Sequence, residues 1–384
     1  MLPDPRNLQD NPLHVLEMCT DFGMGGIARH ALDLQRWLNA QGHHIFLGGT
    51  VGEWAGPATD DQFLDIPTRY VGSDGGHMVS RLANTARAVL KMRRWLTENP
   101  VDLIHAHESA PALVANIARK GRDIPLVVTY HGSEPGRIRS FGSIARHADL
   151  VITPSHRSAT DLAGIGGVAK DRLKVIGLGI KPPPQDDPKE VAALRAELLG
   201  DGKRLIVTVA RIAYQKGIDI LVDCVARMKV THPQYRFVVI GDGPLESDMR
   251  ALARQRDVQS HLTLAGRSET PFRYLRAADL MLLTSRWEAL PISIVEAFQA
   301  GTPVVATDCS GVSELVDDRV GACVPKGDVD AICRAVSAVL EDAPGRDAKA
   351  RAAMARSQES RFDPDTINAQ FESTYRALVA TPAR

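Results

Sequence analysis

The sequence predicts an α/β protein made of two Rossmann-like domains with parallel sheets, and three observations carry that expectation. From Leu13 onward, short apolar runs alternate with longer segments of helical periodicity, as in βα units around a parallel sheet. The alternation is broken once, by KPPPQDDPKE at 181–190, and then restarts. The chain has 384 residues, longer than one ordinary domain.

In the first half the strand candidates are HVLEMC, HHIFLGG, DLIHAH, PLVVTY, DLVITP and LKVIG. Helix candidates such as GGIARHALDLQRWLNAQG and MVSRLANTARAVLKMRRWLTEN lie between them, which completes one doubly wound domain over residues 1–180. Consecutive prolines and mixed charges at 181–190 stop both strand and helix, so this stretch reads as the linker. A second domain, 191–361, follows with KRLIVTVA, YRFVVIGDG, HLTLAG, DLMLLTS, TPVVAT and GACVP. The tail, 362–384, has Asp363 or Asp365 as an N-cap and Ile367, Phe371, Tyr375 and Leu378 at helical spacing. One apolar stripe on a terminal helix must dock, and the N-terminal domain is the expected surface.

Lys+Arg and Asp+Glu are equal at 46 each, so no global field argues for nucleic acid. Five cysteines without a C-x-x-C pair read as reduced thiols. The opening MLPDPRNLQDNP has no apolar signal core, and no run approaches the roughly 18 apolar residues of a membrane span. A cytoplasmic protein is expected. Arg81, Arg87, Lys91, Arg93 and Arg94 beside Leu82, Val89, Leu90 and Trp95 read as an amphipathic surface helix, with peripheral contact at the inner membrane face as the alternative.

Two such domains in tandem are expected to place chemistry in a cleft at the C-terminal ends of their strands. After the first strand, TDFGMGGIARH puts Gly25 and Gly26 ahead of a helix, where backbone N–H groups can close on an anion; a tight turn without ligand explains them equally. In VTVARIAYQKGIDIL, Arg211 and Lys216 follow a strand and suit a diphosphate, with solvated loop charges as the plainer reading. In TSRWEALPISIVEAFQAGTPVVAT, Glu288 falls in a loop and Glu296 in a helix that starts near Pro291 and ends near Gly301. Carboxylates accept from vicinal hydroxyls, and the amides around Leu290, Pro291 and Ile292 point at a phosphate; the alternative is a helix-start charge and a structural ion pair.

His131, in VVTYHGSE, stands directly after a strand and suits hydrogen-bond donation or proton transfer, or a purely structural role. His105 and His107 in LIHAHES share one strand face, but no third ligand is apparent and no metal is expected. GDGPLE is a partial glycine fingerprint with Pro244 opening a helix. No G-x-S-x-G elbow and no P-loop occurs, which removes hydrolase and P-loop readings.

Taken in order, GMGGIARH, TYHGSE, ARIAYQKG, GDGPL, SRWEALPISIVEAFQAGTPVVAT and GVSELVDDRVGACVPKGD resemble the retaining GT-B glycosyltransferases of sequence family four. The resemblance spans nearly the whole chain and is most specific in the second domain. It implies transfer of a hexose or N-acetylhexosamine from a nucleotide-sugar, UDP-linked by family frequency, with retention and without a metal or other cofactor. Its implied roles are diphosphate binding for Arg211 and Lys216, sugar hydroxyls for Glu288 and the ribose diol for Glu296. His131 would stand near the transferred sugar and the phosphate, Gly25 and Gly26 would approach the phosphate from the opposite wall, and Arg267 would lie near the base. The implied acceptor is a hydroxyl on a glycan, lipid-linked glycan or small molecule, in surface polysaccharide, glycolipid or small-glycoside synthesis. The chain departs from the pattern in GLGIK at 177–181, in Ala210 before Arg211 and in a short segment between Gly132 and Asp149. The competing functions are a sugar-nucleotide epimerase, a glycoside phosphorylase and, from another class, a dinucleotide-dependent oxidoreductase.

Overall fold

Seven parallel strands make one sheet and six make a second. The computed structural model describes residues 11–23, 25–56, 63–71, 77–182 and 185–381, so MLPDPRNLQD and part of the proline stretch lie outside the described residues. The chain divides into a unit that runs to Gly179 and resumes at Pro364, and a unit spanning Ile180–Asp363.

In the first unit the strands are β1 (His14–Asp21), β2 (His44–Thr50), β3 (Leu64–Asp65), β4 (Leu103–His107), β5 (Leu126–Thr129), β6 (Leu150–Thr153) and β7 (Leu173–Val175). They lie in the order β3-β2-β1-β4-β5-β6-β7. Every residue of β4 and β5 is buried, so their sequences read as mainly apolar runs in which His105, His107 and Thr129 are the polar members. The two-residue β3 is too short to leave a periodic signal. Helices α1 (Gly26–Ala40), α2 (Met78–Glu98), α3 (Ser109–Ala118), α4 (Ile138–Ala145) and α5 (His156–Gly164) supply the crossovers. Ala31, Leu34 and Leu38 of α1 are wholly buried at helical spacing.

The second unit carries β8 (Arg204–Val209), β9 (Tyr235–Ile240), β10 (Leu262–Gly266), β11 (Leu280–Leu283), β12 (Val304–Thr307) and β13 (Gly321–Val324) in the order β10-β9-β8-β11-β12-β13. Its helices are α6 (Pro188–Leu199), α7 (Ile218–Thr231), α8 (Glu246–Gln255), α9 (Pro271–Ala277), α10 (Ile292–Ala300), α11 (Val329–Glu341) and α12 (Ala343–Ser357). Helix α6 begins inside the stretch read as linker. Pro188 suits its first turn, where no N–H is needed, and the Asp187 side chain accepts from Lys189 N at 2.9 Å. Helix α8 begins two residues beyond Pro244, at Glu246.

Strand order reverses between β1 and β4 in the first sheet and between β8 and β11 in the second. At such a reversal the loops diverge and leave a crevice at the strands' C-terminal ends. The final helix, α13 (Pro364–Val379), belongs to the first unit. Its Ile367, Phe371 and Tyr375 are buried against Val15, Leu34 and Leu103, each contributing about 1.5–3 kcal/mol from removal of apolar surface. No described helix is long and apolar enough to cross a membrane.

Candidate functional site

In the second unit the loops leaving β8 and β11 meet at the order reversal. Backbone packing forces them together. Gly217, with φ +61°, ends a 3-10 turn at 214–216, and a Cβ there would lie 2.2 Å from Thr284 O. Thr284 Oγ1 donates back to Gly217 O at 2.8 Å. Gly217→Ala therefore combines a left-handed residue with a backbone clash, and a stability loss of about 2 kcal/mol or more is expected, read by thermal unfolding. An unchanged melting temperature would show that the two loops are not locked at this point.

This lock brings Lys216 Nζ to 2.5 Å from Glu288 Oε1, which also accepts from Ser285 Oγ at 2.7 Å. Glu288 is 6% exposed. A buried carboxylate needs such partners, and here both serve the same oxygen, Oε1. Arg286 braces the loops from outside: its guanidinium forks onto Asp219 at 2.9 and 2.6 Å and lies 4.1 Å from the Tyr214 ring centroid. The Arg286 hydrogen bonds hold the Asp219 carboxyl below the usual carboxylate range. Cys309 lies in the field of Glu288. Burial first, and that negative charge second, push its thiol up to about 12, which removes it as a thiolate nucleophile.

Arg211 is exposed in the loop after β8, Arg267 is exposed after β10, and Glu296 is half-buried on α10. Pro291 occupies the N-cap position of α10, Gly301 ends it at φ +71°, and no side chain caps its first amides. Leu290, Pro291 and Ile292 thus lead into a helix start that donates nothing to a capping side chain.

In the first unit Gly25 is the N-cap of α1 and Gly26 its first residue. Gly25 has extended backbone, φ −179°, and a Cβ added to it would meet nothing within 4 Å. Among the described residues neither backbone strain nor crowding demands glycine at this position.

His131 follows β5 and is half-buried. Its Nε2 lies 2.9 Å from His107 Nδ1, and His107 Nε2 lies 2.8 Å from Glu17 Oε2. Glu17 also accepts from Tyr375 on α13, 2.9 Å to Oε1, and its Oε2 is 3.0 Å from His105 Nδ1. Glu17, His105, His107 and Tyr375 are completely buried. Burial alone would raise the Glu17 pKa, but His105 and His107 overrule it and hold the carboxyl far below the usual range. Burial lowers His107 to about 4 and His30 to about 3, and carries His131 well below an ordinary imidazole. Burial, and then the neighbouring His107, His30 and His105 rings, thus disfavour the charged form of His131.

Glu17 is the third group that the sequence did not supply beside His105 and His107. The three offer ligating atoms within 4.8 Å of one another, a composition compatible with a divalent cation. All of those atoms are already engaged in the hydrogen bonds above, so the cluster is complete as a hydrogen-bonded network. Two further residues carry positive φ beside the sites, Glu108 (φ 74°) after β4 and Ser310 (φ 40°) after β12. Such strain concentrates at functional edges and leaves no trace in a single sequence.

A family model described as Glycosyl transferases group 1 matches residues 192–360, and one described as Glycosyltransferase Family 4 matches residues 24–182. The chain is similar to 2-deoxystreptamine glucosyltransferase of Streptomyces kanamyceticus, 30% identical over 306 residues that cover 72% of this chain and 77% of the other. It is similar to glycogen synthase of Mycobacterium tuberculosis, 26% identical over 391 residues covering 92% and 91% of the two. Among solved structures, HepE of Anabaena in complex with UDP-glucose superposes with a TM-score of 0.78 at 23% identity, covering 94% of this chain and 99% of that one. At that identity the likeness is one of fold.

Proposed function

Because the chain belongs to the GT-B glycosyltransferases of the family 4 type, we propose that it moves a hexose or N-acetylhexosamine from a UDP-sugar to a hydroxyl acceptor, with retention and without a divalent cation. The observation that carries the donor assignment is the Lys216–Glu288 pair at the reversal of the second sheet. Arg211 and Lys216 outnumber Glu288 in charge, so the loop pair favours a diphosphate. Glu288 keeps Oε2 for sugar hydroxyls while Lys216 and Ser285 hold Oε1.

In this proposal Arg211, Lys216 and the first amides of α10 stabilise the charge that grows on the departing diphosphate. Glu296 takes the ribose diol, Arg267 lies by the base, and Gly25 and Gly26 meet the phosphate. The departing phosphate accepts the proton of the attacking hydroxyl, so no enzyme nucleophile is needed. HepE, which shares the fold, is solved with UDP-glucose, a member of the donor class proposed here. The acceptor belongs to surface polysaccharide, glycolipid or small-glycoside synthesis. Work at the cytoplasmic side, with peripheral membrane contact through α2, fits that acceptor class. Membership of the family removes the oxidoreductase alternative.

A nucleotide-sugar panel tests the reading by thermal stabilisation and slow donor hydrolysis. At one hundred times Kd a bound donor stabilises by about 2.7 kcal/mol. UDP-hexoses are expected to stand out, with product NMR giving a retained anomer and EDTA leaving the rate unchanged. An inverted product or EDTA inhibition refutes the corresponding part. Isomerised donor without transfer would point to an epimerase, and dependence on free phosphate to a phosphorylase. Glu296→Gln is expected to weaken donor binding about tenfold or more, the worth of a hydrogen bond to a charged group, by titration calorimetry. Unaltered affinity would remove Glu296 from the ribose.

A further inference from the structure

The buried groups behind His131 leave little freedom in where its proton sits. Glu17 is held as a carboxylate, and a carboxylate only accepts. His107 Nε2, 2.8 Å from Glu17 Oε2, must therefore carry a hydrogen and donate it. A neutral His107 then has a bare Nδ1, and that atom, 2.9 Å from His131 Nε2, can only accept. His131 Nε2 must donate inward. Among the described residues His107 is the hydrogen-bond partner of the His131 ring, so Nδ1 is left as its open position.

We propose that Glu17 acts through His107 to fix the tautomer of His131, so that Nδ1 of His131 presents a lone pair to a substrate hydroxyl and not a proton to a phosphate oxygen. Glu17 and His107 are on this account positioning residues, and Tyr375 and His105 keep Glu17 oriented by filling its remaining acceptor sites. The inference rests on the proposed transfer reaction for the identity of the ligand, but the proton arrangement does not.

His30 contributes the wall. Its ring stands edge-on to His107 and to His131, with centroids 5.5 and 5.7 Å away, and so restricts rotation of both. A free His131 would take up either orientation. Here the ring is stacked on His107 at 5.2 Å and its inward nitrogen is committed.

The direct test is a long-range proton–nitrogen correlation spectrum of the full chain labelled with nitrogen-15 histidine at neutral pH. His107→Gln and His131→Gln spectra assign the two signals. Both rings are expected to be protonated on Nε2 alone. A His131 protonated on Nδ1, or on both nitrogens, overturns the proposal without any activity measurement.

Glu17→Gln supplies the second arm. Its amide can turn an N–H toward His107 Nε2, which would move the protons of His107 and His131 together to Nδ1. A second tautomer shared by both rings, with kcat/KM for the nucleotide-sugar lowered about tenfold, is expected. One ring changing without the other overturns the coupling.

His131→Phe separates hydroxyl from phosphate recognition. Affinity for the free nucleoside diphosphate should stay within twofold while kcat/KM with the sugar donor falls about tenfold. Weakened diphosphate binding overturns the assignment of Nδ1 as an acceptor. Loss confined to transfer, with donor hydrolysis intact, places the hydroxyl on the acceptor; loss of both places it on the donor sugar. If no nucleotide-sugar is bound or turned over, the transfer reading fails while the spectrum still decides the tautomer.

Discussion

Lys216→Ala is expected to lower turnover about 100- to 1000-fold, the scale on which removal of one preorganised donor acts at a site of growing negative charge. It should also destabilise the second unit by about 3 kcal/mol, because Glu288 would remain buried and, among the described residues, keep the Ser285 hydroxyl as its side-chain donor. The two losses are separable. Lys216→Ala combined with Glu288→Gln removes the uncompensated charge and should restore much of the melting temperature while turnover stays low. Steady-state kinetics on the single variant and calorimetry on both check this. Turnover within a few fold of the parent would show that Lys216 does not face the leaving group.

Acid should unfold the first unit before ordinary carboxylate titration begins. As pH falls through 6.5 the unfolded chain takes up protons on His30, His107 and His131, whereas the folded chain refuses them, down to about 3 at His30 and about 4 at His107. The unfolded state therefore binds more protons across this window, and stability falls with pH. Each ring contributes about 2 kcal/mol of loss between pH 7 and pH 5. Glu17 acts with the same sign lower down. Its stabilising contribution is complete above the ordinary carboxylate value and is lost as pH falls toward its depressed folded value. Urea melts at pH 7 and pH 5 measure the difference. His30→Phe should flatten the dependence by one ring's share, and since His30 Nε2 has no hydrogen-bond partner in the described structure, the change breaks no bond there. Equal stability at the two pH values would mean that these rings charge freely in the folded protein.

The sheets were legible because parallel strands buried on both faces concentrate apolar residues in short runs, as in LVVT and VVAT. The proline stretch misled at its end: Pro188 reads as a breaker from composition, yet Asp187 before it makes the pair a helix start. Pro291 and Gly301 bounded α10 because their backbone preferences act locally. Glu17 shows the limit. Within HVLEMC it is one polar residue in an apolar strand, and its meaning comes from β4, placed beside β1 so that Glu17 pairs in register with His105. That neighbour arises from strand order, which no local pattern encodes. The Lys216–Glu288 contact is of the same kind, since 72 residues separate its partners and a reversal of strand order joins them.

The return of the chain at Pro364 sets an order of events during synthesis. The second unit is one continuous segment, Ile180–Asp363, and can collapse as soon as it leaves the ribosome. The first unit cannot. Its residues up to Gly179 must wait for α13, whose buried Phe371 and Tyr375 complete the layer formed with Val15 and Leu103. Until they arrive, Glu17 lacks its phenolic donor and an apolar face stands open. The nascent protein thus passes through a stage with a finished later half and an unfinished earlier half, the interval in which a chaperone would find a surface to hold.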